Sequence, residues 1–418
     1  MTHGPLKTLP ALDVPAMRRV AVDAETLAGA ARIIDDVRTY GEAALRRHAE
    51  RLGDLAADAP LWLERDALRA AFEAQTPDTQ ALLERTAGRI RAFAQAQRAA
   101  LSPLDMAVPG GRAGHDISPV ERAACYAPGG RFPLPSSVLM TAVTARVAGV
   151  ERVVVASPRP AAVTLAAAHV AEADGLLTVG GAHAIAALAY GAGPVPACDV
   201  IVGPGNRWVT AAKQLVSGHV GIDMLAGPSE LVVLADDTAD AETVAADLLA
   251  QAEHDPDALP VLVTPSAELI ARVNDALARQ LDVLPTAETA RAAVAEGFAV
   301  LCRDLDEAVA VCDHLAPEHL EVMTHDAAAH QSRLRHYGGL FVGQGAAEVL
   351  GDYGAGPNHV LPTGGTARRT GGLSVFNFLR IRTWLRMDAP AELARDAAAL
   401  ARLEGLEGHA RSAERRLG

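Results

Sequence analysis

The first hundred residues carry apolar side chains at helical spacing. In residues 24–53 (AETLAGAARIIDDVRTYGEAALRRHAERLG) and 65–101 (RDALRAAFEAQTPDTQALLERTAGRIRAFAQAQRAAL), apolar side chains recur every three or four positions. This recurrence is typical of helices that bury one face. Gly41 and Pro77 interrupt the pattern, but the prediction remains a helical N-terminal region.

From about Val120 the pattern changes to short, β-branched apolar runs separated by alanine-rich helical stretches. One series contains ERVVVASP, GLLTVGG and CDVIVGPG, and a second contains ELVVLAD, PVLVTP, FAVLC and GGLFVG. Strands that alternate with helices predict a parallel sheet. The chain is glycine-rich between Val342 and Gly372 and returns to helix formers from Ala389. The fold class is therefore α/β, with two tandem parallel-sheet units, a helical N-terminal region and a helical C-terminal tail.

Composition excludes several classes of protein. Among 418 residues, 51 acidic groups against 38 basic groups give a net charge of −13, which disfavours nucleic acid and anionic membranes as partners. The first twenty residues lack the apolar core of a secretory signal, and no stretch approaches the ~20 apolar residues of a membrane span. The cysteines form no C-x-x-C pair, which favours a reducing cytoplasm and thiols without a chemical role. They are Cys125, Cys198, Cys302 and Cys312.

The usual nucleotide-binding motifs are absent, since neither G-x-G-x-x-G nor G-x-x-x-x-G-K-[ST] occurs. The nearest candidate is GPGN at 203–206, which follows the apolar run CDVIV. Backbone amides at such a strand-to-helix junction can hold a phosphate, but the same residues can also form a purely structural corner. YAPGGRFPLPSS at 126–137 leaves the same two interpretations open.

Four polar motifs stand out from the helical and strand patterns. Each could be a solvated surface, but together a glutamine, two histidines and an aspartate would suit zinc or a similar borderline metal. A carboxylate beside an imidazole, as in APEHLEV, could also perform general acid–base chemistry near neutral pH. The residues are Gln251 and His254 in DLLAQAEHDPD, Glu318 and His319 in APEHLEV, Asp352 and His359 in GDYGAGPNH, and Glu404 and His409 in LEGLEGHA.

Longer segments of the chain resemble the histidinol dehydrogenase family, the NAD-dependent enzymes of the last two steps of histidine biosynthesis. The resemblance runs from about residue 120 to the end. It implies that the two sheet units are incomplete Rossmann-like units and that the chain oxidises L-histidinol to L-histidine through L-histidinal, using two NAD. The segments are YAPGGRFPLPSSVLMTAVTARVAGV, GPGNRWVTAAKQLV, GIDMLAGPSELVVLAD, DLLAQAEHD, APEHLEV, GDYGAGPNHVLPTGGTAR and EGLEGHARS.

The resemblance also implies a set of roles. His319 would be the base for alcohol oxidation, and Glu318 would activate the water that adds to the aldehyde. The last zinc ligand would come from the partner subunit, which implies a homodimer with shared active sites. The implied zinc ligands are Gln251, His254, Asp352 and His409. The implied substrate contacts are Ser229, Gln251, His254, His319, Asp352, His359, Glu404 and His409, with Glu404 pairing with the substrate ammonium. The implied NAD contacts are Tyr126, His183 and Asn206.

With these roles the chain divides into four parts. Residues 1–24 would form an N-terminal arm, and residues 25–125 plus 229–371 a first α/β domain that carries the metal and acid–base residues. Residues 126–228 would form a second α/β domain on the NAD side. Residues 372–418 would form a helical tail that contributes to the partner's active site.

Two departures from the family pattern leave alternatives open. His183 stands in GGAHAIAA where the family usually has glutamine, and an imidazole can still hydrogen-bond a ribose or phosphate. An arginine-rich segment favours a solvated or interface surface, but it could instead serve an anionic substrate such as a sulfonated diol. A third alternative is a non-catalytic metal-binding protein on the same fold. The arginines are Arg368, Arg369, Arg380, Arg382 and Arg386.

Overall fold

The structure, a computed structural model, describes residues 4–14, 22–56, 58–129 and 133–417. Parts of the predicted N-terminal arm (1–3 and 15–21) and of the 126–137 loop (130–132) lie outside the described residues. The described strands are β1 (Lys7–Pro10), β2 (Trp62–Glu64), β3 (Leu104–Val108), β4 (Gly111–Pro119), β5 (Arg122–Tyr126), β6 (Arg152–Ala156), β7 (Gly175–Leu177), β8 (Val200–Val202), β9 (Gly221–Ile222), β10 (Glu230–Ala235), β11 (Leu259–Thr264), β12 (Phe298–Leu301), β13 (His319–Met323), β14 (Gly339–Val342) and β15 (Leu379–Met387).

Helices alternate with most of these strands. Those of the described residues are α1 (Ala24–Arg51), α2 (Arg65–Glu73), α3 (Pro77–Ala99), α4 (Pro135–Val138), α5 (Thr144–Ala148), α6 (Ala162–Val170), α7 (Gly181–Tyr190), α8 (Arg207–Val216), α9 (Ala241–Ala252), α10 (Ala267–Val283), α11 (Ala287–Glu296), α12 (Leu305–Leu315), α13 (Ala327–Gln331), α14 (Glu348–Asp352), α15 (Ala391–Leu403) and α16 (Glu407–Glu414). A π-helical turn, Leu139–Val143, joins α4 to α5. Gly41 bends α1 with φ of 55°, and Pro77 is the first residue of α3.

The strands form three sheets. Sheet I has the order β2-β7-β6-β5-β8-β9, and sheet II has the order β1-β12-β11-β10-β13-β14. All pairs are parallel except β2 with β7. Sheet III, with the order β15-β4-β3, is antiparallel. The two parallel sheets confirm the predicted α/β class.

Continuous apolar runs form the central strands because helices cover both faces of each parallel sheet. Every residue of β10 and of β11 is buried. The cores on the two faces of sheet II are separate clusters, as are those of sheet I. Among the described residues no helix combines the length and apolar character needed to cross a membrane.

The predicted domain boundaries are wrong for the N-terminal helices. Residues 25–125 were grouped with 229–371, but α1 packs on α7 and α8, and α2 and α3 pack on the opposite face of sheet I. The boundary at 125/126 would also cut β5, the strand that lies between β6 and β8. The helices belong to sheet I because their buried apolar side chains are part of its two core clusters. The predicted arm, in contrast, contributes β1 to the edge of sheet II.

Candidate active site

The largest concentration of predicted site residues lies between the two parallel sheets. A cavity of about 340 Å³ is lined from one side by residues that follow β5 and β8, and from the other by residues that precede β10, β11 and β13. Sheet I therefore presents its carboxyl edge and sheet II its amino edge. The predicted residues at this cavity are Asn206, Ser229, His254, Glu318, His319, Asp352 and His359.

Gln251 and His254 lie at and just beyond the end of α9. Asp240 caps the start of this helix, and the helix ends at Ala252. Gln251 is fully buried in the last turn. His254 lies beyond the helix, so it does not share a helix face with Gln251. The turn instead directs His254 into the cavity.

Three potential metal ligands gather where α14 meets this turn. Donor atoms of His254, Glu348 and Asp352 all lie within 4.8 Å of one another. His254 Nε2 is 4.0 Å from Asp352 Oδ2. Burial raises the pKa of Asp352 to about 7. Nitrogen and oxygen donors in this arrangement are the ligands that zinc takes when cysteine is absent.

The side chain of Gln251 completes this group. In the orientation that satisfies both ends of its amide, its nitrogen donates to Glu348 at 3.3 Å (Oε1) and 3.2 Å (Oε2). Its oxygen then lies 3.1 Å from Ser229 Oγ. Glu348 is 4% exposed, and burial raises its pKa well above the usual value. Gln251 and Glu348 are thus held together in the interior beside Asp352.

His319 begins β13 and points an unpaired nitrogen at this group. Its Nδ1 lies 3.1 Å from the carbonyl oxygen of Glu230, which can only accept, so Nδ1 carries the proton. Nε2 has no hydrogen-bond partner among the described residues and lies 3.9 Å from Asp352 Oδ1. Burial lowers the pKa of His319 to about 3. The imidazole is therefore neutral near pH 7, with a free acceptor at Nε2.

Glu318 lies at the turn before the same strand. Its Oε2 accepts from Ser229 Oγ at 2.5 Å and from the Glu230 amide at 3.0 Å. Burial raises the pKa of Glu318 well above its ordinary value, and these two donors oppose that effect. Its Oε2 is 3.7 Å from His319 Nδ1. A carboxyl and an imidazole with opposite pKa shifts are thus adjacent.

His359 closes the cavity on the side of sheet I. Its Nδ1 lies 3.1 Å from the carbonyl oxygen of Asp352, and its Nε2 lies 3.5 Å from Ser137 Oγ. Burial lowers the pKa of His359 to about 4. The histidine links α4, which contains Ser137, to the helix that carries Asp352.

The three predicted NAD residues come together at a second cavity of about 340 Å³ on sheet I. Tyr126 Oη accepts from the Gly181 amide at 3.2 Å. Asn206 caps α8 by accepting from the amides of Trp208 and Val209. His183 is fully buried, with its Nε2 3.4 Å from Asp54 Oδ2. Asn206 also lines the first cavity, so the two cavities adjoin.

Glu404 and His409 do not join the other predicted site residues within one chain. Both are exposed on the hairpin of α15 and α16, where they line a separate shallow pocket. The same hairpin carries leucines whose side chains are exposed to solvent in the single chain. They are Leu393, Leu400, Leu403 and Leu406.

Comparisons with known proteins decide the family. A family model described as histidinol dehydrogenase matches residues 17–417. The chain is 48% identical over 389 residues to the histidinol dehydrogenase of Thermus thermophilus, covering 92% of this chain and 93% of that protein. The chain belongs to the histidinol dehydrogenase family. The match begins about a hundred residues before the predicted start of the resemblance, so the N-terminal helices are part of the family fold.

Two further relatives agree. The histidinol dehydrogenase of Ralstonia nicotianae is 44% identical over 400 residues, which cover 93% of this chain and 90% of that protein. The crystal structure of histidinol dehydrogenase from Elizabethkingia anophelis superposes with a TM-score of 0.92 at 28% identity, covering 100% of this chain and 99% of the other. The family makes this chain an enzyme of the dehydrogenase type, as the resemblance implied.

The arginine-rich segment does not line the candidate active site. Arg368 donates to the carbonyl oxygens of Asp313 and His314, and Arg380 donates to that of Pro119. Arg382 lies opposite Asp116 in sheet III. These contacts favour the structural interpretation of the segment over an anion-binding one.

Sequence reasoning missed Glu348, which belongs to the group of potential metal ligands, and Asp54, which lines the second cavity. Glu348 stands four residues before Asp352, a spacing that places two side chains on one helix face, so a signal was present. Asp54 follows the long first helix, and nothing in its neighbourhood indicates a cavity on a distant strand. Only the packing of α1 on sheet I brings it there.

A buried ion pair fixes the GPGN loop between the cavities. Lys213 Nζ donates to the carbonyl oxygen of Gly203 at 3.0 Å and to Asp223, which in turn accepts from the Gly203 amide at 2.7 Å. Gly203 has φ of 113°, and a Cβ there would lie 2.0 Å from the Tyr126 carbonyl oxygen. The pair therefore holds a loop conformation that only glycine can adopt.

Replacing Lys213 with methionine is expected to lower the free energy of unfolding by about 3–5 kcal/mol, because Asp223 would stay buried without its partner. The two side chains are 4% and 0% exposed. Urea unfolding of the variant measures the loss, with Lys7→Met on exposed β1 as the matched control. A loss no larger than that of the control would contradict this role.

Proposed function

We propose that the chain oxidises L-histidinol to L-histidine through L-histidinal, using zinc and two NAD. The family supports oxidation of histidinol. The single observation that carries the proposal is the buried, unpaired Nε2 of His319, 3.9 Å from Asp352 beside the cluster of potential metal ligands. A neutral imidazole nitrogen with no partner, at the wall of a cavity, is suited to take a proton from a bound alcohol.

The residues present fit zinc. An imidazole from His254 and a carboxylate from Asp352 lie together with Glu348, and the carboxamide of Gln251 contacts Glu348. Such nitrogen and oxygen donors form zinc sites. When bound, zinc would hold the imidazole and amine nitrogens of the substrate, and NAD would supply the acceptor for the hydride. Glu348 would anchor the amide of Gln251 so that the ligand is already oriented.

The second cavity fits a nicotinamide cofactor. The Nδ1 of His183 is buried and lacks a hydrogen-bond partner among the described residues, so a hydroxyl group of a ligand could satisfy it. Tyr126 and Asn206 line the same cavity. Because Asn206 also borders the substrate cavity, a cofactor there can extend toward the reacting carbon.

His319 performs the proton transfer of the alcohol oxidation. It accepts the hydroxyl proton at Nε2, and the hydrogen bond from Nδ1 to the Glu230 carbonyl holds the ring and stabilises the imidazolium that forms. The hydride and the proton together account for the two-electron oxidation. Burial of His319, which is 3% exposed, keeps bulk water from competing for the proton.

Glu318 performs the corresponding task in the aldehyde oxidation. Its carboxylate takes a proton from the water that adds to the aldehyde carbon, and Ser229 and the Glu230 amide hold the carboxylate in place. Because burial disfavours the charged form of a carboxyl group, a buried carboxylate is a stronger base than a carboxylate in water. His359 and Ser137 bound the space in which the aldehyde would remain.

A homodimer with shared active sites explains the position of the tail. Two of the four proposed zinc ligands, His254 and Asp352, lie in one cluster with Glu348, which the amide of Gln251 contacts. His409 instead lies on an exposed hairpin with Glu404. The exposed leucines of that hairpin are apolar surface of the kind that a second subunit covers. We therefore propose that the tail of one subunit supplies His409 and Glu404 to the site of the other.

The primary test measures NADH formation by the zinc-loaded protein, with L-histidinol and a sulfonated diol as parallel substrates. The metal-stripped protein is the control. We expect two NADH for each histidinol consumed and loss of this turnover on stripping. No turnover of histidinol, together with turnover of the diol, would contradict the proposed substrate.

Replacing Glu318 with glutamine is expected to slow oxidation of L-histidinal by roughly 10²-fold or more, because the base for the added water is lost. Alcohol oxidation should change much less. Single-turnover measurements started separately from histidinol and from histidinal compare the two halves. Equal damage to both would contradict the role assigned to Glu318.

A further inference from the structure

An acidic side chain forms part of the wall of the sheet I cavity. Asp54 lies in the loop after α1, and its Oδ2 accepts from the Gly180 amide at 3.2 Å and lies 3.4 Å from His183 Nε2. The side chain is 14% exposed and lines the cavity together with Tyr126 and Asn206. A carboxylate is thus fixed at a place where a ligand can touch it.

Asp54 carries a negative charge at neutral pH. Burial acts to raise its pKa, but the contacts with His183 and the Gly180 amide and the nearby charge of Arg159 outweigh burial, so the pKa is lowered. A fixed carboxylate accepts hydrogen bonds from sugar hydroxyls and repels phosphate groups.

Arg159 lies at the same cavity, three residues beyond the end of β6. In sheet I, β6 and β7 lie on one side of β5 and β8 lies on the other. The strand order therefore reverses at β5. In doubly wound sheets, the residue that reads the ribose follows the strand next to that point. Arg159 occupies that place, where an arginine can accommodate a 2′-phosphate.

The backbone of Arg159 is strained. Its φ is 46°, and the other non-glycine residues with positive φ in the described chain are Glu172 and Ala316. Its side chain is exposed and makes no hydrogen bond or ion pair to a described residue. Strain of this kind costs about 1–3 kcal/mol and is concentrated at ligand sites. The strain and the exposure point to a side chain that is available to a ligand, and the charge nearby is that of Asp54.

From these observations we propose that Asp54 determines cofactor specificity. Its carboxylate accepts a hydrogen bond from the free ribose hydroxyl of NAD and repels the 2′-phosphate of NADP, while Arg159 is a latent receptor for that phosphate. The proposal rests on the proposed use of a nicotinamide cofactor in this cavity. Without the negative charge of Asp54, the 2′-phosphate of NADP would be attracted by Arg159 and no longer repelled by Asp54.

The test is calorimetric titration of the full chain with NADH and with NADPH, without substrate turnover. Wild type is expected to bind NADH more tightly. Asp54→Asn should shift the ratio of the two dissociation constants toward NADPH by roughly tenfold or more, because a like-charge contact is removed. Asp58→Asn, an exposed acid of the same loop outside the cavity, is the matched control and should leave the ratio unchanged.

Two variants of Arg159 complete the experiment. Asp54→Asn/Arg159→Gln should lose the gain in NADPH binding, and Arg159→Gln alone should weaken NADPH binding while NADH binding is retained. The single arginine variant alters an exposed side chain, so it stays informative even where Asp54→Asn unfolds. Thermal unfolding of each variant checks its fold.

The outcomes separate the two proposals. Failure of wild type to bind either dinucleotide would overturn the proposed cofactor site, and this inference with it. Binding of NADH with an unchanged ratio in Asp54→Asn, or equal binding of both cofactors by wild type, would overturn only the role of Asp54. A gain in NADPH binding that persists in the double variant would overturn the role of Arg159.

Discussion

Replacing His319 with asparagine is expected to lower the rate of histidinol oxidation by roughly 10²–10⁴-fold, the range that removal of a positioned general base produces. Asparagine can still donate to the Glu230 carbonyl, so the local fold is retained, but the free acceptor at Nε2 is gone. Zinc content should stay near that of wild type because His319 is outside the proposed ligand set. Steady-state NADH formation and metal analysis of the purified variant measure the two effects.

His314→Asn provides the matched control, since this histidine is exposed on α12 and lies outside both cavities. It should retain full activity and metal. Loss of zinc from the His319 variant would instead place His319 among the ligands. A reduction in rate of only a few-fold would show that another group takes the proton.

Mixing two inactive variants is expected to restore activity. His409→Ala lacks a proposed ligand on the tail, and His319→Asn lacks the proposed base in the cavity. In a mixed dimer, the cavity of the first chain receives the intact tail of the second, so one of the two sites is complete. Random reassociation should restore about a quarter of wild-type activity, since half the dimers are mixed and each has one complete site.

The pure variants, taken through the same dissociation and reassociation, are the controls and should stay inactive. Zinc content follows a different pattern, since the pure His319 variant should retain zinc, the pure His409 variant should lack it, and the mixture should hold an intermediate amount; recovered activity is therefore the deciding measurement. No recovery in a mixture shown to contain mixed dimers would contradict a tail that acts on the partner subunit.

The central strands could be predicted because the apolar residues that identify each strand are consecutive in the sequence. Strands such as β10 and β11 are buried on every residue, so each is a continuous apolar run that the sequence displays directly. Sheet III could not be predicted in this way. Strand β15 is mostly exposed and rich in arginine, and it pairs with β4, which lies more than 250 residues earlier in the chain.

The candidate site shows the same division between local and long-range information. Gln251, His254, Glu318, His319, Asp352 and His359 could be proposed because each belongs to a short motif that resembles the family. The approach of most of these residues to one another depends on the strand order of sheet II, which places β10 between β11 and β13 and which no single motif contains. The apolar pattern of the N-terminal helices likewise does not say which sheet they cover, and they were assigned to the wrong one.

The arrangement of the two cavities bears on how a two-stage oxidation can proceed. They adjoin at Asn206, which lines both of them. In the proposed reaction, spent NADH can therefore leave and fresh NAD can enter through one opening while the reactive aldehyde stays in the other chamber. The cofactor could then be exchanged between the two oxidation steps without release of the aldehyde intermediate.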